Sequence, residues 1–381
     1  MKQGWTYKKL GELGTIVTGS TPSTKIKEYY CSNDYCFIKP SDLPAEGYQI
    51  IVESENYISS KGYEVSRKLP KGSVLVSCIG IIGKTAILGM DACTNQQINA
   101  IIPNEYVNNK FLAYSILSQR YVLSSVANAP VVPLINKSDF SKVEIPLPPL
   151  STQLSIVSEL DKINELIRLK REQLKDYDNL AQSIFYEMFG DPVVNEKGWE
   201  VKKLGDVCKF TQGTQVPIEE QHLSKENGLV QFLRIIDFTQ GKDAPRFVKC
   251  SNDKYILHER EIAIVRYGTP GFVCYGKIGA IANNLFKITP NQKDMFEFEF
   301  LVHWLNTEAF QSAVKSKQYG AALQAIKFST IQGINIIIPS LTVQRSFATR
   351  ISQIDKQKQY IEESIKDLET LLASRMQYWF D

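Results

Sequence analysis

This sequence has few histidines and no closely spaced pair of cysteines, which argues against a metal site and a disulfide framework. Its 381 residues include three histidines, at positions 222, 258 and 303, whose spacing fits no metal-binding motif. The seven cysteines form no C-x-x-C pair, so we expect free thiols rather than a disulfide framework. No stretch of 18 uncharged apolar residues occurs, and the first residues lack the apolar run of a signal peptide. We therefore expect a cytoplasmic protein that does not enter a membrane.

Motifs for nucleotide binding and catalysis are also missing. GIIGKT at 80–85 resembles the end of a P-loop, but Cys78 stands where the first glycine belongs, and the related stretch GTPGFV lacks the Lys-Thr pair. A hairpin or strand turn is the better interpretation. No G-x-G-x-x-G sequence, amino-methyltransferase loop (N/D-P-P-Y/F) or convincing Ser/His/Asp arrangement is present. The sequence predicts no catalytic residue, no metal site and no cofactor bound by this chain.

The longest regular pattern lies near the middle of the chain, at 150–188. Alternate steps of four and three residues from Ile156 reach apolar or aromatic side chains at all but Lys170, and the intervening positions are mostly polar. This heptad pattern, without Gly or Pro, predicts one helix of roughly 55 Å with a coiled-coil seam. The seam residues expected to be buried are Ile156, Leu160, Ile163, Ile167, Leu174 and Tyr177.

The chain repeats itself after about 190 residues. WTYKKLGELGTIVTGSTP, from Trp5, recurs as WEVKKLGDVCKFTQGTQVP at an offset of 194, and FIKPSDL aligns with FLRIIDF. SCIGIIGKTAILGMDACTNQQI aligns with RYGTPGFVCYGKIGAIANNLF, which pairs Asn95 with Asn283. VEIPLPPLSTQLSIVSELDKI matches INIIIPSLTVQRSFATRISQI at an offset of 191. The repeat predicts two structurally similar units.

The second copy of that last phrase begins a second amphipathic helix. Its seam, interrupted by Lys358, contains Ile351, Ile354, Ile361, Ile365, Leu368 and Leu372. Matching heptads favour packing of the two helices on each other, although each helix could lie on its own globular segment instead. The second globular segment begins where the first helix ends, so helices that pack together would be antiparallel.

We therefore predict an α+β fold with an internal pseudo-two-fold repeat. Residues 1–148 and 190–340 would form two similar mixed α/β domains, and residues 149–189 and 341–381 would form two spacer helices packed as an antiparallel coiled coil. Strands are expected at SVLVSCIG, ILGM, NAIIP, EIAIVRYG and INIIIP, and helical spacing is present at 110–123 and 298–314.

The interpretation that remains is that each of the two repeats carries a binding surface. Asn and Gln can bond an adenine edge, while Arg and Lys can read guanine or hold phosphate. The formal net charge of +3 neither supports nor excludes a nucleic-acid partner. For each of these residues taken alone, the alternative to DNA contact is a solvated surface position or a role in capping a turn. A shared framework role would also place such residues at equivalent positions in both repeats. The candidates for DNA contact are Lys39, Ser41, Asp42, Lys84, Thr94, Asn95, Gln96, Gln97, Arg234, Asp237, Arg266, Tyr267, Lys277, Asn283 and Asn284.

The order of globular segment, helix, globular segment, helix resembles the specificity subunit of type I restriction–modification systems. The resemblance is carried by W-x-x-K-K-L-G at 5–11 and 199–205, by SIFYEMFGDP at 183–192, and by the two phrases that lead through Pro, Leu and Gln into a long helix. It covers essentially the whole chain.

This resemblance implies a subunit without catalysis of its own. Each globular domain would be a target recognition domain reading one half of a split, asymmetric double-stranded DNA site. The helices would set the gap between the halves and dock two methyltransferase subunits, alongside restriction and translocase subunits. S-adenosylmethionine, ATP and Mg would be bound by those partners.

Three other functions stay open at this point. A free-standing bipartite DNA-binding regulator would bind its site tightly without partners. An enzyme acting alone on nucleic acid would need a catalytic cluster that the sequence does not offer. A purely structural scaffold would retain no DNA even at low salt.

Overall fold

A computed structural model describes residues 4–126, 133–239, 243–292, 294–316 and 325–380. The chain forms two compact units: residues up to 171 together with those from 363 onward, and residues 172–362. Each unit contains one globular domain, called a head below, and part of each of two 40-residue helices. None of the helices in the described ranges is long and apolar enough to span a membrane.

Head 1 is built mainly from short strands. Its strands are β1 (Thr6–Lys9), β2 (Gly14–Thr18), β3 (Tyr35–Ile38), β4 (Tyr48–Ile51), β5 (Tyr57–Ile58), β6 (Val74–Ser77), β7 (Thr85–Leu88), β8 (Cys93–Thr94), β9 (Ile98–Pro103) and β10 (Glu144–Leu147). Its helices are α1 (Ser60–Glu64), α2 (Asn109–Ser118), α3 (Arg120–Val126) and α4 (Lys137–Lys142). The first long helix, α5 (Leu150–Phe189), follows β10.

Head 2 has a similar succession of strands, but its first two short helices follow its first and third strands, whereas α1 of head 1 follows β5. Its strands are β11 (Glu200–Lys203), β12 (Cys208–Gln212), β13 (Leu229–Leu233), β14 (Arg246–Lys249), β15 (Ile256–Leu257), β16 (Ile262–Val265), β17 (Val273–Cys274), β18 (Gly279–Ile281), β19 (Leu285–Pro290) and β20 (Asn335–Ile338). Its helices are α6 (Leu204–Val207), α7 (Ile235–Thr239), α8 (Phe298–Leu305), α9 (Glu308–Ser316) and α10 (Phe328–Gln332), followed by the second long helix, α11 (Leu341–Phe380).

The sheets of the two heads share a common core but differ at their edge strands. In head 1 β4 pairs with β7 and β5 with β3, whereas in head 2 β14 pairs with β13 and β15 with β18. In head 1 the order is β2-β9-β6-β7-β4, and in head 2 it is β12-β19-β16-β17. A second sheet has the order β5-β3-β8 in head 1 and β14-β13-β18-β15 in head 2, and a two-stranded ribbon joins β1 to β10 and β11 to β20. Each expected strand segment contains a strand. GIIGKT lies at the turn of the antiparallel β6–β7 pair, which confirms the hairpin interpretation.

Two segments with helical spacing are each broken into two helices. The 110–123 segment divides at Gln119, between α2 and α3. The 298–314 segment divides after α8, where the Thr307 hydroxyl accepts a hydrogen bond from the Phe310 N–H at 3.3 Å. Thr and Ser side chains compete with the helical backbone in this way, so continuous spacing in the sequence did not reveal the break.

The long helices run antiparallel within each unit, which confirms the predicted fold. In the first unit Glu159 of α5 pairs with Arg375 of α11, and Arg171 pairs with Glu369. In the second unit Asp178 pairs with Lys358, and Glu187 with Arg350. Larger numbers on one helix therefore meet smaller numbers on the other. The last residue, 381, lies outside the described residues.

The packing of the helices satisfies both expectations raised by the sequence. The first turns of α5 lie in the head 1 core through Ile156 and Leu160, and the last turns of α11 join the same core through Phe380. In head 2 the equivalent cluster holds Phe347 and Ile351 of α11 together with Phe185 of α5. Each helix thus packs on its own head and also on the other helix.

Most predicted seam residues are buried. The buried group is Ile156, Leu160, Ile163, Ile167, Ile351, Ile354, Ile361 and Ile365, whereas Leu174, Tyr177, Leu368 and Leu372 are half-buried. The polar interruption at Lys358 is explained by its 2.6 Å ion pair with Asp178 of the facing helix. Nothing in the structure explains Lys170.

A buried glutamine ties each head to the start of its long helix. Gln153 donates hydrogen bonds to the carbonyls of Tyr106 and Pro148 and accepts one from the Asn108 N–H, at 2.9–3.0 Å. Gln344 makes the same three bonds in head 2, at 2.8–3.2 Å, to Met295, Pro339 and Glu297. Both side chains are fully buried. This is the physical reason for the Gln in the repeated phrase.

Candidate nucleic-acid interface

The candidates Lys39 and Asp42 of head 1 form a turn that head 2 repeats with Arg234 and Asp237. In each case the aspartate carboxylate accepts a 2.7 Å hydrogen bond from the backbone N–H three residues earlier. Such a bond caps the first turn of a short helix, which here follows the end of β3 or β13. The structure therefore gives these aligned acidic residues a framework role.

The cations around this turn point toward protein atoms. In head 1 the Lys39 ammonium donates to Asn56 Oδ1 at 2.7 Å and the Lys84 ammonium to the Pro40 carbonyl at 2.9 Å. Ser41 is exposed, and its hydroxyl lies 3.4 Å from a Glu55 carboxylate oxygen. These hydrogen bonds within head 1 account for the positions of the Lys39 and Lys84 side chains.

The same holds in head 2. The Arg234 guanidinium pairs with Asp237 and Asp243, and the hydrogen bonds that it donates to the Asp237 carboxylate raise the pKa of Arg234 above its usual value. The Lys277 ammonium donates to the Asp237 carbonyl. Lys84 and Lys277 are not aligned in the sequence, yet each holds the carbonyl of an equivalent turn.

Backbone hydrogen bonds at residues 94–97 and 281–284, called the polar segments below, show that the alignment expected from the sequence must be corrected. Ser20 N–H donates to the Thr94 carbonyl at 2.8 Å, and Thr214 N–H donates to the Ile281 carbonyl at 2.9 Å. Thr94 is therefore equivalent to Ile281, and the expected pairing of Asn95 with Asn283 is wrong by one residue.

The register is set by the neighbouring strands. Gly19 and Gly213 donate to Ile98 and Leu285, the first residues of β9 and β19, at 3.0 and 2.9 Å. Ten residues separate Gly83 from Thr94 in head 1, whereas nine separate the equivalent Gly271 from Ile281 in head 2. Gly80 and Gly268 align correctly, but beyond these stretches Gln96 is equivalent to Asn283, and Gln97 to Asn284.

Only part of the head 1 segment faces outward. Thr94 is fully buried, and Asn95 is 8% exposed and bonds Gln97. Gln96 is exposed and accepts a 2.7 Å hydrogen bond from the Thr21 hydroxyl. Of these four candidates, Gln96 is the one whose amide is most accessible to a ligand.

In head 2 the equivalent segment carries a larger polar cluster. The Asn283 amide oxygen lies 3.3 Å from the Tyr267 hydroxyl, and its nitrogen donates to Gln215 at 3.4 Å. Arg266 is half-buried, and its backbone N–H donates to the Asn284 carbonyl. The Asn284 amide oxygen is buried without a hydrogen-bond partner among the described residues.

Thr21 and Gln215 were missed by the sequence reasoning. They follow Gly19 and Gly213 at the same distance, inside the aligned opening motifs TGST and QGTQ. A Cβ on Gly19 would lie 2.1 Å from the Asn95 carbonyl oxygen, and one on Gly213 would lie 2.2 Å from that of Ala282. The two glycines therefore allow the segments to touch. Paired glycines at an offset of 194 were the signal that could have revealed them.

Other chemistry is not assembled in the described ranges. Among these residues no group of three or more His, Cys, Asp or Glu side chains could hold a metal ion. His303, which corresponds to Tyr114 in the alignment of FLAYSILS with FLVHWLNT, packs edge-on against the Phe347 ring, with centroids 5.2 Å apart. All seven cysteines are free, and five of them are buried.

A family model described as "type I restriction modification DNA specificity domain" matches residues 2–176 and again residues 196–370. The chain belongs to this family. The two matches coincide with the internal repeat, and the predicted family resemblance is confirmed. The chain is thus a DNA specificity subunit, a recognition component that does not itself catalyse a reaction. The free-standing regulator is not supported.

Individual relatives agree with this assignment. The type I restriction enzyme MjaIX specificity subunit of Methanocaldococcus jannaschii is 29% identical over 92% of this chain and 86% of its own length. A solved chain of a type I restriction–modification system superposes with a TM-score of 0.61 at 21% identity, covering 99% of this chain and 97% of that one. The type I S subunit from M. genitalium superposes with a TM-score of 0.54 at 14% identity, over 99% and 96% of the two chains. At these identities the two structures support the fold.

Proposed function

We propose that head 1 and head 2 each read one half of a bipartite, asymmetric double-stranded DNA site. The observation that supports this most directly is the difference between the heads at their equivalent polar segments. The backbone hydrogen bonds are the same, whereas the side chains that they bring together are Thr21 and Gln96 in one head and Gln215 and Asn283 in the other. One scaffold carrying two sets of groups suits two different half-sites.

The candidate contacts then fall into two classes. Gln96, Gln97, Tyr267, Asn283 and Asn284 lie at or beside the polar segments and are proposed to approach base edges. The cations Lys39, Lys84, Arg234, Arg266 and Lys277, with Ser41, are proposed to lie closer to phosphate or to support the turns. Asp42 and Asp237 act as caps, and the buried Thr94 and Asn95 act on the shape of the segment.

Residues 149–189 and 341–381 are proposed as the spacers that set the gap and dock two methyltransferase subunits. Exposed apolar side chains recur on them at the repeat offset of 191: Leu169 corresponds to Tyr360, and Leu180 to Leu371. In the first unit Leu169 and Leu371 are exposed, and in the second Leu180 and Tyr360. Equivalent apolar groups on both units suit two copies of one partner.

The chemistry of the assembly is proposed to reside in the partners. Methyltransferase subunits would bind S-adenosylmethionine and methylate adenine, and restriction and translocase subunits would use ATP and Mg. Because chromosomal DNA is the proposed target, the cytoplasm is the proposed compartment.

The test is a domain exchange read out by genome-wide mapping of N6-methyladenine. The chain is co-expressed with its modification subunits, and residues 1–148 are replaced by the corresponding head of a relative with a different specificity. We expect a split motif in which one half alone changes. The matched control replaces residues 190–340 and should change the other half. A motif that changes in both halves, or no split motif at all, would overturn the proposal.

A further inference from the structure

We infer that three equivalent positions in each head determine the base read at one place in each half-site. They are Thr21, Ile79 and Gln96 in head 1, and Gln215, Tyr267 and Asn283 in head 2; we call each set a reading triad. This inference rests on the proposed division of the DNA site between the heads.

The equivalence of the triads follows from backbone contacts. Thr21 and Gln215 each follow the residue whose N–H bonds the Thr94 or Ile281 carbonyl. Ile79 and Tyr267 each form an isolated bridge, to Leu134 and Ala325, directly before Gly80 or Gly268. Gln96 and Asn283 each lie two residues before the first residue of β9 or β19. The three segments that carry each triad are therefore held by the same framework.

Side-chain contacts join Thr21 to Gln96 in head 1 and all three members of the triad in head 2. In head 1 the Thr21 hydroxyl bonds the Gln96 amide oxygen at 2.7 Å. In head 2 Asn283 lies between Gln215 and Tyr267, with polar contacts of 3.4 and 3.3 Å. Thr21, Gln96, Gln215 and Tyr267 are exposed, and Ile79 and Asn283 are half-buried. The contacting side chains thus form a small polar group at the surface of each head, and Ile79 is assigned to the head 1 triad by the equivalence of its backbone bridge with that of Tyr267.

The triads place their hydrogen-bonding groups differently. In head 1 the long amide is Gln96, on the segment before β9, and it is oriented by a short threonine. In head 2 the long amide is Gln215, on the segment after β12, and it is accompanied by the shorter Asn283 and a tyrosine hydroxyl. A Gln amide bonds an adenine edge through its donor and its acceptor, so moving it to the neighbouring segment changes which base it meets. Ile79 offers an apolar contact, whereas Tyr267 offers a hydroxyl.

The test exchanges the head 1 triad for that of head 2, as Thr21→Gln, Ile79→Tyr and Gln96→Asn together. The variant is co-expressed with the modification subunits, and N6-methyladenine is mapped across the genome. We expect the preference at one or two adjacent base pairs of half-site 1 to shift by about tenfold or more, because a bidentate amide contact discriminates bases on this scale. Half-site 2 should stay unchanged, which also shows that the chain is folded and assembled.

Two further variants keep the result interpretable. Val52→Thr changes a side chain of head 1 that is 66% exposed and outside the triad, and it should leave the motif unchanged. The reciprocal exchange, Gln215→Thr with Tyr267→Ile and Asn283→Gln, should alter half-site 2 alone. If a variant complex assembles without methylating, its binding to DNA randomised in one half-site replaces the methylation readout.

The outcomes separate this inference from the function on which it rests. If the unaltered chain directs methylation to a split motif but both exchanges retain that motif, the triads do not determine specificity and the inference is overturned. If the unaltered chain yields no split motif, the proposed function itself fails. A change in the expected half-site, with the other half retained, supports both.

Discussion

Replacing the buried glutamine at the start of either long helix should destabilise the chain strongly, although the glutamine is neither catalytic nor exposed. Gln153→Met keeps the volume of the side chain and removes three hydrogen bonds to backbone groups. Each such bond is worth about 1 kcal/mol net, and somewhat more when the partner stays buried and unpaired. We expect a loss of about 3–4 kcal/mol in the free energy of unfolding, which corresponds to a fall in melting temperature of about 10 °C.

Gln344→Met provides the matched comparison, because Gln344 makes the same three bonds in the other unit. Gln173→Met provides the control: Gln173 is exposed on α5, and its replacement should change the free energy of unfolding by less than about 0.5 kcal/mol. Urea denaturation followed by circular dichroism measures all three variants. If Gln153→Met and Gln344→Met each lose less than about 1 kcal/mol, the three-bond arrangement does not stabilise the junctions as argued here.

Two further predictions concern the helices and the half-buried His303. Ile163→Asp places a charge at a seam position that is 7% exposed, so it should lower the free energy of unfolding by about 3–5 kcal/mol and weaken assembly with modification subunits. Leu166→Asp is the control, because Leu166 is 47% exposed and its replacement should change the free energy of unfolding little. Equal melting temperatures for the two variants would contradict the seam assignment. Burial lowers the pKa of His303 to about 4, so the unfolded chain binds more protons than the folded chain between about pH 6.5 and pH 4, and stability should fall as pH falls through this window. His303→Tyr, which copies Tyr114 of head 1, should reduce that dependence; identical slopes of unfolding free energy against pH in the two proteins would show that His303 is not responsible.

The sequence predicted the architecture better than the site, and the reason is physical. A seam such as Ile156–Leu160–Ile163 reports burial through its spacing, and the repeat of the Pro-Leu-Gln phrase located the second helix. Whether Asn95 or Gln96 corresponds to Asn283 depends on a single extra residue between Gly83 and Thr94, which spacing alone cannot place. The role of Lys358 depended on Asp178 of the facing helix, a contact between residues 180 positions apart.

The division between fixed and varying groups explains how two heads can diverge within one chain. The register of the polar segments is set by backbone hydrogen bonds at Gly19 and Gly213, and each head is joined to its helix by a fully buried glutamine. The triad side chains are largely exposed, and exchanges at exposed positions typically change stability by less than about 0.5 kcal/mol. Substitutions in a triad can therefore alter which groups face the DNA without disturbing the framework. Because the two triads share no residue, each half-site can change independently of the other.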